Sequence, residues 1–434
     1  MVKVFKGSVG KIKQHKHYDK AASWTKMLSV TGGTQIILQV LGFLTGVLLV
    51  RLMPQKEFSY YTIVNTMLGT MTVLADGGVA TGVIAYGGKV WQDKYRLGQV
   101  LATGISLRKI FSVISLLVTL PILVWLLRVQ HAEWWQIALM VCGLIPAFLA
   151  AVSDSVLEIV PKLHQEIKPL QLNQLVVTLG RFVLSVGSVF FFPFTVVALL
   201  GNGLPRMYGN LQLKKISNRF VDTAAKPDPE IRSSILGIVK KRMPEAIYYS
   251  FSGQITVWLL SLMGNSSSIA QIGALSKISL VTTSFTMVLG MLVIPRFARL
   301  PDDSSVILKK YIQSSALAVG GLLVMLLVLW FTSGLVLSAF GKEYEGLDYE
   351  LVAYFIGAAV AFMANFTYSL FSSRGWLMNP VLSISFNAVS LAVCAYFIKV
   401  DNLQGAIYFG IANSLIQFVV NTFFLLYSIF KKRK

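Results

Sequence analysis

Three cationic residues interrupt long apolar stretches of this sequence: Arg181, Lys277 and Arg206. A cation at the centre of a lone membrane helix costs at least about 2.5–3.5 kcal/mol, so such residues usually face protein or a wet cavity. The Arg guanidinium group donates two parallel hydrogen bonds to a phosphate, and the Lys ammonium group attracts a phosphate as a point charge. We therefore expect these cations to bind an anionic group in an internal cavity. The alternatives are an ion pair of Arg181 with Asp76 or Asp154, and snorkelling of Arg206 to the membrane surface.

Three acidic residues lie in or beside the same apolar stretches: Asp76, Asp154 and Glu245. Each could carry a coupling proton or sodium ion, and each could equally pair with a local cation. Asp76 precedes Gly77-Gly78, where we expect a break in the helix because glycine loosens the backbone. Among the uncharged polar residues, Asn65 is the best candidate to line a wet passage.

The sequence contains no catalytic constellation beside these charges. Its four histidines lie in predicted tails and loops, and none has a partner at metal-ligand or nucleophile spacing. A Walker-type phosphate-binding loop is also missing from the sequence. We therefore predict no catalytic residue, no metal, no cofactor and no enzymatic activity.

The composition identifies the kind of chain that carries these residues. Of 434 residues, 55% are hydrophobic and only 13% are charged, yet the net charge is +20. A soluble domain has about 25% charged residues, so a soluble enzyme, a disordered chain and a secreted disulfide scaffold are excluded. The cations fall in the gaps between apolar tracts, as membrane orientation requires, so we predict no nucleic-acid partner.

Twelve apolar tracts are long enough to cross a membrane as helices. One tract of 31 residues is too long for a single span, and we divide it at Gly264-Asn265-Ser266-Ser267-Ser268, a predicted turn. Most of the 39 Lys and Arg residues lie in segments on one side, which predicts that both termini are cytoplasmic. The predicted spans are 27–50, 58–75, 110–127, 134–153, 170–192, 193–213, 246–263, 269–295, 312–340, 351–373, 380–398 and 403–430.

A hydrophilic connector, residues 214–242, divides these spans into six and six. We therefore predict an all-α polytopic membrane protein with two six-helix bundles around a central cavity, one of the known transporter repeat arrangements. The bundles are residues 27–213 and 243–430. Residues 1–26 are predicted to form a basic cytoplasmic tail that either lies on anionic lipid or only helps to fix the orientation of the protein in the membrane. Residues 431–434 form a basic C-terminal tail.

Several stretches resemble polysaccharide and oligosaccharide-lipid flippases. Leu49-Val50-Arg51-Leu52-Met53-Pro54, the run 56–61 and Leu74-Ala75-Asp76-Gly77-Gly78 are similar to that family's arginine-leucine, glutamate-Phe-Gly-x-Tyr and Asp-x-Gly motifs, in the same order. Ser59 and Gly77 depart from the commoner residues. In the second half, residues 271–275, 293–299 and 339–344 extend the resemblance, the last being similar to the family's Phe-Gly-x-Glu-Tyr segment. The similarity covers nearly the whole chain.

The resemblance implies a member of the multidrug/oligosaccharidyl-lipid/polysaccharide exporter superfamily that works by alternating access. Its polysaccharide branch moves undecaprenyl-diphosphate-linked oligosaccharides from the inner to the outer leaflet of the bacterial cytoplasmic (inner) membrane, for O-antigen or capsule synthesis. The implied partners are the lipid-linked oligosaccharide, membrane lipids, a coupling proton or sodium ion, and polysaccharide polymerases. The alternatives are a cation-coupled drug or small-solute exporter of the same superfamily, and a membrane glycosyltransferase or polymerase.

Overall fold

The computed structural model describes residues 18–279, 282–283, 285–286, 289, 293–298, 300–374, 376 and 378–431. Within these ranges the regular structure is helical, which confirms the predicted all-α fold class. The first half contains α1 (Tyr18–Leu52), α2 (Gln55–Asp76), α3 (Val79–Val90), α4 (Lys94–Val129), α5 (Trp134–Leu157), α6 (Ile159–Leu163), α7 (Ile167–Arg181), α8 (Gly187–Phe191) and α9 (Thr195–Ser217). The second half contains α10 (Pro229–Ser252), α11 (Ile255–Met263), α12 (Ser266–Leu275), α13 (Ile294–Ala298), α14 (Ser304–Phe340), α15 (Asp348–Ser373), α16 (Pro380–Phe397) and α17 (Leu403–Lys431).

Each of the twelve predicted tracts overlaps at least one of these helices. Among the described residues, seven helical segments are by themselves long and apolar enough to cross a membrane, and α2 with α3 qualifies as a bent pair. Large side chains on the outer surface of the bundles are widely exposed, such as Phe331 at 82% and Tyr396 at 84%. Exposed aromatic and aliphatic surface of this extent suits contact with lipid rather than water.

The helix break predicted after Asp76 is present. Gly77 and Gly78 have φ of 48° and 96°, in the left-handed region that favours glycine. The axis bends by 44° between α2 and α3 at this point. The Asp76 carboxylate accepts a hydrogen bond from the Ala80 backbone N–H at 3.0 Å, and so caps the start of α3.

The predicted turn within the longest apolar tract is also present. Helix α11 ends at Met263, and Gly264 leaves the helix in an extended conformation. Asn265 then caps α12, because its Oδ1 accepts a hydrogen bond from the Ser268 backbone N–H at 2.8 Å. Local turn chemistry therefore separates the seventh and eighth predicted spans.

The connector predicted over residues 214–242 is largely helical. Helix α9 continues to Ser217 and α10 already begins at Pro229, so only residues 218–228 lie outside helices. Ile231, Ile235 and Val239 recur every four residues and are buried in a cluster with residues of α3 and α4. The charged residues around these three positions prevent the amphipathic pattern from being recognised in the sequence. The first turns of α10 are thus packed against the N-terminal half.

Candidate functional site

A cavity of about 260 Å³ lies where the two halves of the molecule meet. Helices α1, α2, α7 and α9 provide most of its wall. A π-helical turn after α7, Phe182–Val186, and a 3₁₀ turn after α12, Ser276–Ile278, provide the rest. Its lining residues are Gly42, Thr45, Gly46, Leu49, Tyr61, Thr178, Arg181, Ser185, Asn202, Ser276 and Lys277. The structure therefore brings two of the three predicted cations, one from each half, to a single cavity.

The side chain of Lys277 reaches this cavity by crossing α1 at a glycine. A Cβ atom on Gly46 would lie 3.0 Å from Cδ and 3.3 Å from Cγ of Lys277, so the aliphatic stem rests on the bare backbone of α1. No described residue forms a hydrogen bond or an ion pair with the Lys277 ammonium group. Its positive charge therefore has no counter-charge within the described protein.

Arg181 is placed by an irregular segment of its helix. It is the last residue of α7, and a π-helical turn, Phe182–Val186, follows it directly. Such turns are rare and occur frequently at functional sites. A Cβ on Gly201 would lie 2.6 Å from the Cα of Ser185, so α9 contacts the π turn through its backbone and holds it in place.

Two polar atoms at this turn are buried without a hydrogen-bond partner, Nε of Arg181 and Oγ of Ser185. Arg181 also forms no ion pair with Asp76 or Asp154, the two carboxylates that were its predicted alternative partners. Burial of unpaired polar groups is costly, and a ligand or water in the cavity would remove that cost. The cavity therefore presents unsatisfied donors from both halves, together with the Tyr61 and Asn202 side chains.

The structure does not bring Arg206 into this cavity. Its Nε donates to Oδ2 of Asp154 at 3.0 Å, an ion pair between α9 and α5. The amide of Asn210 donates to the other carboxylate oxygen of Asp154 at 2.8 Å. Arg206 and Asp154 are therefore engaged with each other inside the N-terminal half, and the predicted snorkelling of Arg206 does not describe its contacts.

The Asp76 carboxylate forms an ion pair and hydrogen bond with Arg108 of α4. Arg108 is only 3% exposed, although it precedes the predicted third span, 110–127, where a cytoplasmic segment is expected. Helix α4 begins at Lys94, so Arg108 already lies in the packed interior, and hydropathy alone did not indicate this burial. Neither residue lines the cavity.

The remaining predicted site residues lie apart from the cavity. Asn65 is half-buried on α2 and is not among the lining residues. Glu245 lies in α10, and its side chain is outside the described part of the structure. The described residues contain no group of His, Cys, Asp or Glu side chains that could hold a metal ion.

Some motif residues support the fold and do not line the cavity. Glu57 Oε2 accepts hydrogen bonds from the backbone N–H and hydroxyl of Thr195, at 2.7 and 2.6 Å, which caps α9. Phe340 and Tyr344 pack edge to face with ring centroids 6.2 Å apart. Burial, reinforced by the charge of Glu343, raises the pKa of Tyr344 above its usual range, so it remains a neutral core residue. Tyr61, the last residue of the second motif, does line the cavity.

The two halves also contact each other at the end predicted to face outside, through Gln130. Its Nε2 donates to the Ser261 carbonyl at 2.8 Å and to the Gly264 carbonyl at 3.4 Å. Its Oε1 accepts from the Ser266 hydroxyl at 3.0 Å, and its backbone carbonyl accepts from Tyr60 at 3.2 Å. One buried amide thus links the N-terminal half to both arms of the α11–α12 turn. No sequence signal distinguished Gln130 from other amides near helix ends.

Comparison with known proteins places the fold. No protein-family model and no curated sequence matches the chain. Among solved structures, an inward-facing multidrug resistance MATE family transporter of the MOP superfamily matches with a TM-score of 0.72 at 15% identity, covering 91% of this chain and 95% of that one. Lipid II flippase MurJ in an inward closed conformation matches with a TM-score of 0.73 at 11% identity, covering 92% and 87%.

A third solved structure is a MOP superfamily transporter from Pyrococcus furiosus Vc1 (DSM3638), whose reported reverse polarity of the binding pocket suggests a different function. It matches with a TM-score of 0.60 at 15% identity, covering 94% of this chain and 96% of that one. At these identities the likeness shows the fold alone. The chain therefore has the fold shared by multi-pass transporters of the MOP superfamily.

Proposed function

We propose that this protein is a flippase that moves lipid-linked oligosaccharides across the membrane and holds their diphosphate group between Arg181 and Lys277. The observation that carries the proposal is that these two cations, one from each half, line the same cavity and neither forms an ion pair with a described carboxylate. A buried cation without a partner is expensive, so its retention favours an anionic ligand.

The composition of the cavity supports an anion over a cation. None of its lining residues is acidic, and the other polar groups are hydroxyls and one amide, which can donate hydrogen bonds to phosphate oxygens. Two of the acids that could bind a cationic drug, Asp76 and Asp154, are paired with arginines outside the cavity. This arrangement disfavours the alternative of a cation-coupled drug exporter, whose cavity needs available carboxylates.

The same geometry suggests how binding is linked to alternating access. Arg181 and Lys277 carry like charges on different halves, and a diphosphate in the cavity would attract both of them. Because each charge belongs to a different half, the ligand stabilises arrangements in which both halves contact it. The contacts of Gln130 support a state closed at the predicted outer end, in which the ligand enters from the cytoplasmic leaflet while its lipid tail stays in the bilayer.

The proposed substrate is an undecaprenyl-diphosphate-linked oligosaccharide for O-antigen or capsule synthesis in the bacterial inner membrane. This identification rests on the motif resemblance, and the fold likeness to a lipid II flippase supports the class of substrate. Coupling to a proton or sodium ion and contact with polysaccharide polymerases are parts of the same proposal.

The test is leaflet translocation of a labelled undecaprenyl-diphosphate sugar in vesicles that contain purified protein. We expect Lys277→Ala and Arg181→Ala each to reduce the rate at least about tenfold, since hydrogen bonds to charged groups contribute about 1.5–3 kcal/mol each. Arg128→Ala is the matched control, because Arg128 contacts the Ala132 carbonyl and the Trp134 ring rather than the cavity. Unchanged translocation in both cavity variants, at matched expression, contradicts the proposed roles.

A further inference from the structure

A second polar cavity lies entirely within the C-terminal half. It has a volume of about 290 Å³, is open on one side, and is lined by residues of α15, α16 and α17 together with Met378. Four side-chain amides meet there from the three helices, and no charged residue lines the cavity. The polar residues that line this cavity are Asn365, Tyr368, Ser383, Asn387, Gln417 and Asn421.

Most of the hydrogen-bonding capacity of these amides is unused. The side chains of Asn387 and Gln417 have no hydrogen-bond partner among the described residues. Asn365 and Asn421 donate their NH₂ groups to backbone carbonyls of α15, each at 3.0 Å, which leaves their side-chain oxygens available to the cavity. Polar side chains in membrane helices usually bond to one another across helix interfaces, so amides left available around a cavity need another explanation.

The same pair of helices also shows the ordinary arrangement. Asn413 of α17 accepts a hydrogen bond from the hydroxyl of Ser390 on α16 at 3.3 Å. This contact holds two helices together, and Asn413 does not line the cavity. Asn387 and Gln417 lie on the same two helices without such a bond. A role in helix association therefore accounts for Asn413 and leaves Asn387 and Gln417 unexplained.

The chemistry of the cavity matches a neutral ligand with many hydroxyl groups. An amide side chain offers two donors and two acceptor positions, as does a set of neighbouring sugar hydroxyls or an N-acetyl group. A phosphate or an organic cation would favour a charged partner, which this cavity lacks. Tyr368 adds an aromatic ring with a polar tip. The volume of about 290 Å³ lies just below about 300–1,000 Å³, the range of small-molecule sites, which suits one sugar residue rather than a chain.

We propose that this amide-lined cavity binds an uncharged sugar residue of the transported molecule. The inference rests on the proposed function, because it assigns the diphosphate to the cation-lined cavity between the halves and the sugar to a separate site in the C-terminal half. Recognition is then divided between charge at one site and hydrogen bonding at the other. The second site discriminates a glycosylated lipid from the bare lipid diphosphate.

The experiment compares two ligands on the full-length protein in nanodiscs: undecaprenyl diphosphate, and the same lipid carrying N-acetylglucosamine. We expect wild type to bind the sugar-bearing lipid about tenfold more tightly, since a few hydrogen bonds of about 0.5–1.5 kcal/mol each are gained. Asn387→Leu with Gln417→Leu should abolish this preference and leave the affinity for undecaprenyl diphosphate unchanged. Asn413→Leu is the matched control and should retain the preference.

Other outcomes separate this inference from the proposed function. If the double variant retains the tenfold preference, or weakens binding of both lipids equally, the sugar site is wrong. If wild type fails to bind undecaprenyl diphosphate, the proposed function is wrong, and an uncharged alkyl N-acetylglucosaminide then tests the cavity alone. Saturable binding of this glycoside that the double variant loses would support the site, and equal binding by both proteins would overturn it.

Discussion

The aliphatic stem of Lys277 lies against the backbone of Gly46, so the cation of one half of the protein rests on the first helix of the other half. A Cβ at position 46 would approach Cδ of the lysine to 3.0 Å. This contact sets where the ammonium group enters the cavity. It also makes a glycine on α1 a determinant of where the positive charge lies.

A large side chain at position 46 should displace the lysine without removing its charge. We expect Gly46→Val to weaken binding of undecaprenyl diphosphate about tenfold, because the added side chain displaces the Lys277 ammonium group. The fold should be preserved, since only the flexible Lys277 side chain has to move. Gly33→Val is the control on the same helix, since a Cβ there meets nothing within 4 Å. Affinity measured in nanodiscs checks the prediction, and equal affinity in both variants would show that the contact does not position the charge.

Removal of the unpaired charge should stabilise the empty protein while it impairs transport. Lys277→Met keeps the apolar stem and removes a half-buried ammonium group that has no counter-charge among the described residues, and unpaired charges of this kind are costly in a protein interior. We expect the Tm of the ligand-free protein to rise by about 2 °C or more, by the usual relation between ΔΔG and Tm. Lys399→Met, at an exposed lysine, should leave Tm unchanged.

Thermal unfolding in detergent measures this difference, and translocation is measured on the same preparations. A lower Tm for Lys277→Met than for wild type would mean that the lysine stabilises the fold through contacts of its own. In that case its loss of transport could not be assigned to the ligand.

Removing one partner of the Asp76–Arg108 ion pair should destabilise the protein more than replacing both partners. Asp76→Asn leaves Arg108, which is 3% exposed, without a counter-charge. Breaking a fully buried pair typically costs about 3–5 kcal/mol, and because the Asp76 side chain is 31% exposed we expect a loss below that range. The double variant Asp76→Asn with Arg108→Gln should recover most of that loss, because two neutral amides can bond to each other. Denaturation of both variants and of Arg108→Gln forms a double-mutant cycle that measures the interaction.

Transport by the stable double variant then decides the predicted coupling role of Asp76. A carboxylate that carries the coupling ion cannot be replaced by an amide, whatever the stability of the protein. Transport at the wild-type rate in the double variant would therefore restrict Asp76 to a structural role.

Loss of the Gln130 side chain should open the contact between the halves at the predicted outer end. Gln130→Ala removes two side-chain bonds to the α11–α12 turn at 3.0 Å or less, each contributing about 0.5–1.5 kcal/mol. We expect several-fold faster labelling of Ser267→Cys, a half-buried position on the same turn, by a membrane-impermeant thiol reagent in the Gln130→Ala background. Gln136→Ala is the control, because Gln136 lies at the same end and bonds to the Glu133 backbone within its own half. Equal labelling in both backgrounds would show that the amide does not hold this end closed.

Features that depend on neighbours along the chain were predictable from the sequence. Hydropathy located the apolar helices, Gly77 and Gly78 indicated the bend after α2, and the Gly264–Ser268 run indicated the turn between α11 and α12. In a bilayer each spanning segment must satisfy its backbone internally, so composition and glycine placement decide these elements locally. The amphipathic start of α10 escaped prediction because its three buried residues are interspersed with charges.

The state of each buried charge depended on the tertiary structure. Arg181, Arg206 and Lys277 look alike in the sequence, as cations within apolar tracts. Only the packing of α5 against α9 pairs Arg206 with Asp154, and only the meeting of α1, α7 and the turn after α12 leaves Arg181 and Lys277 on one cavity. Whether a charge is neutralised depends on distances of a few ångströms between distant segments, because Coulomb energy in the interior falls with separation. Hydropathy and motif order carry no information about those distances. The helices could therefore be predicted from local sequence, whereas the charged site is decided only by the packing of distant segments.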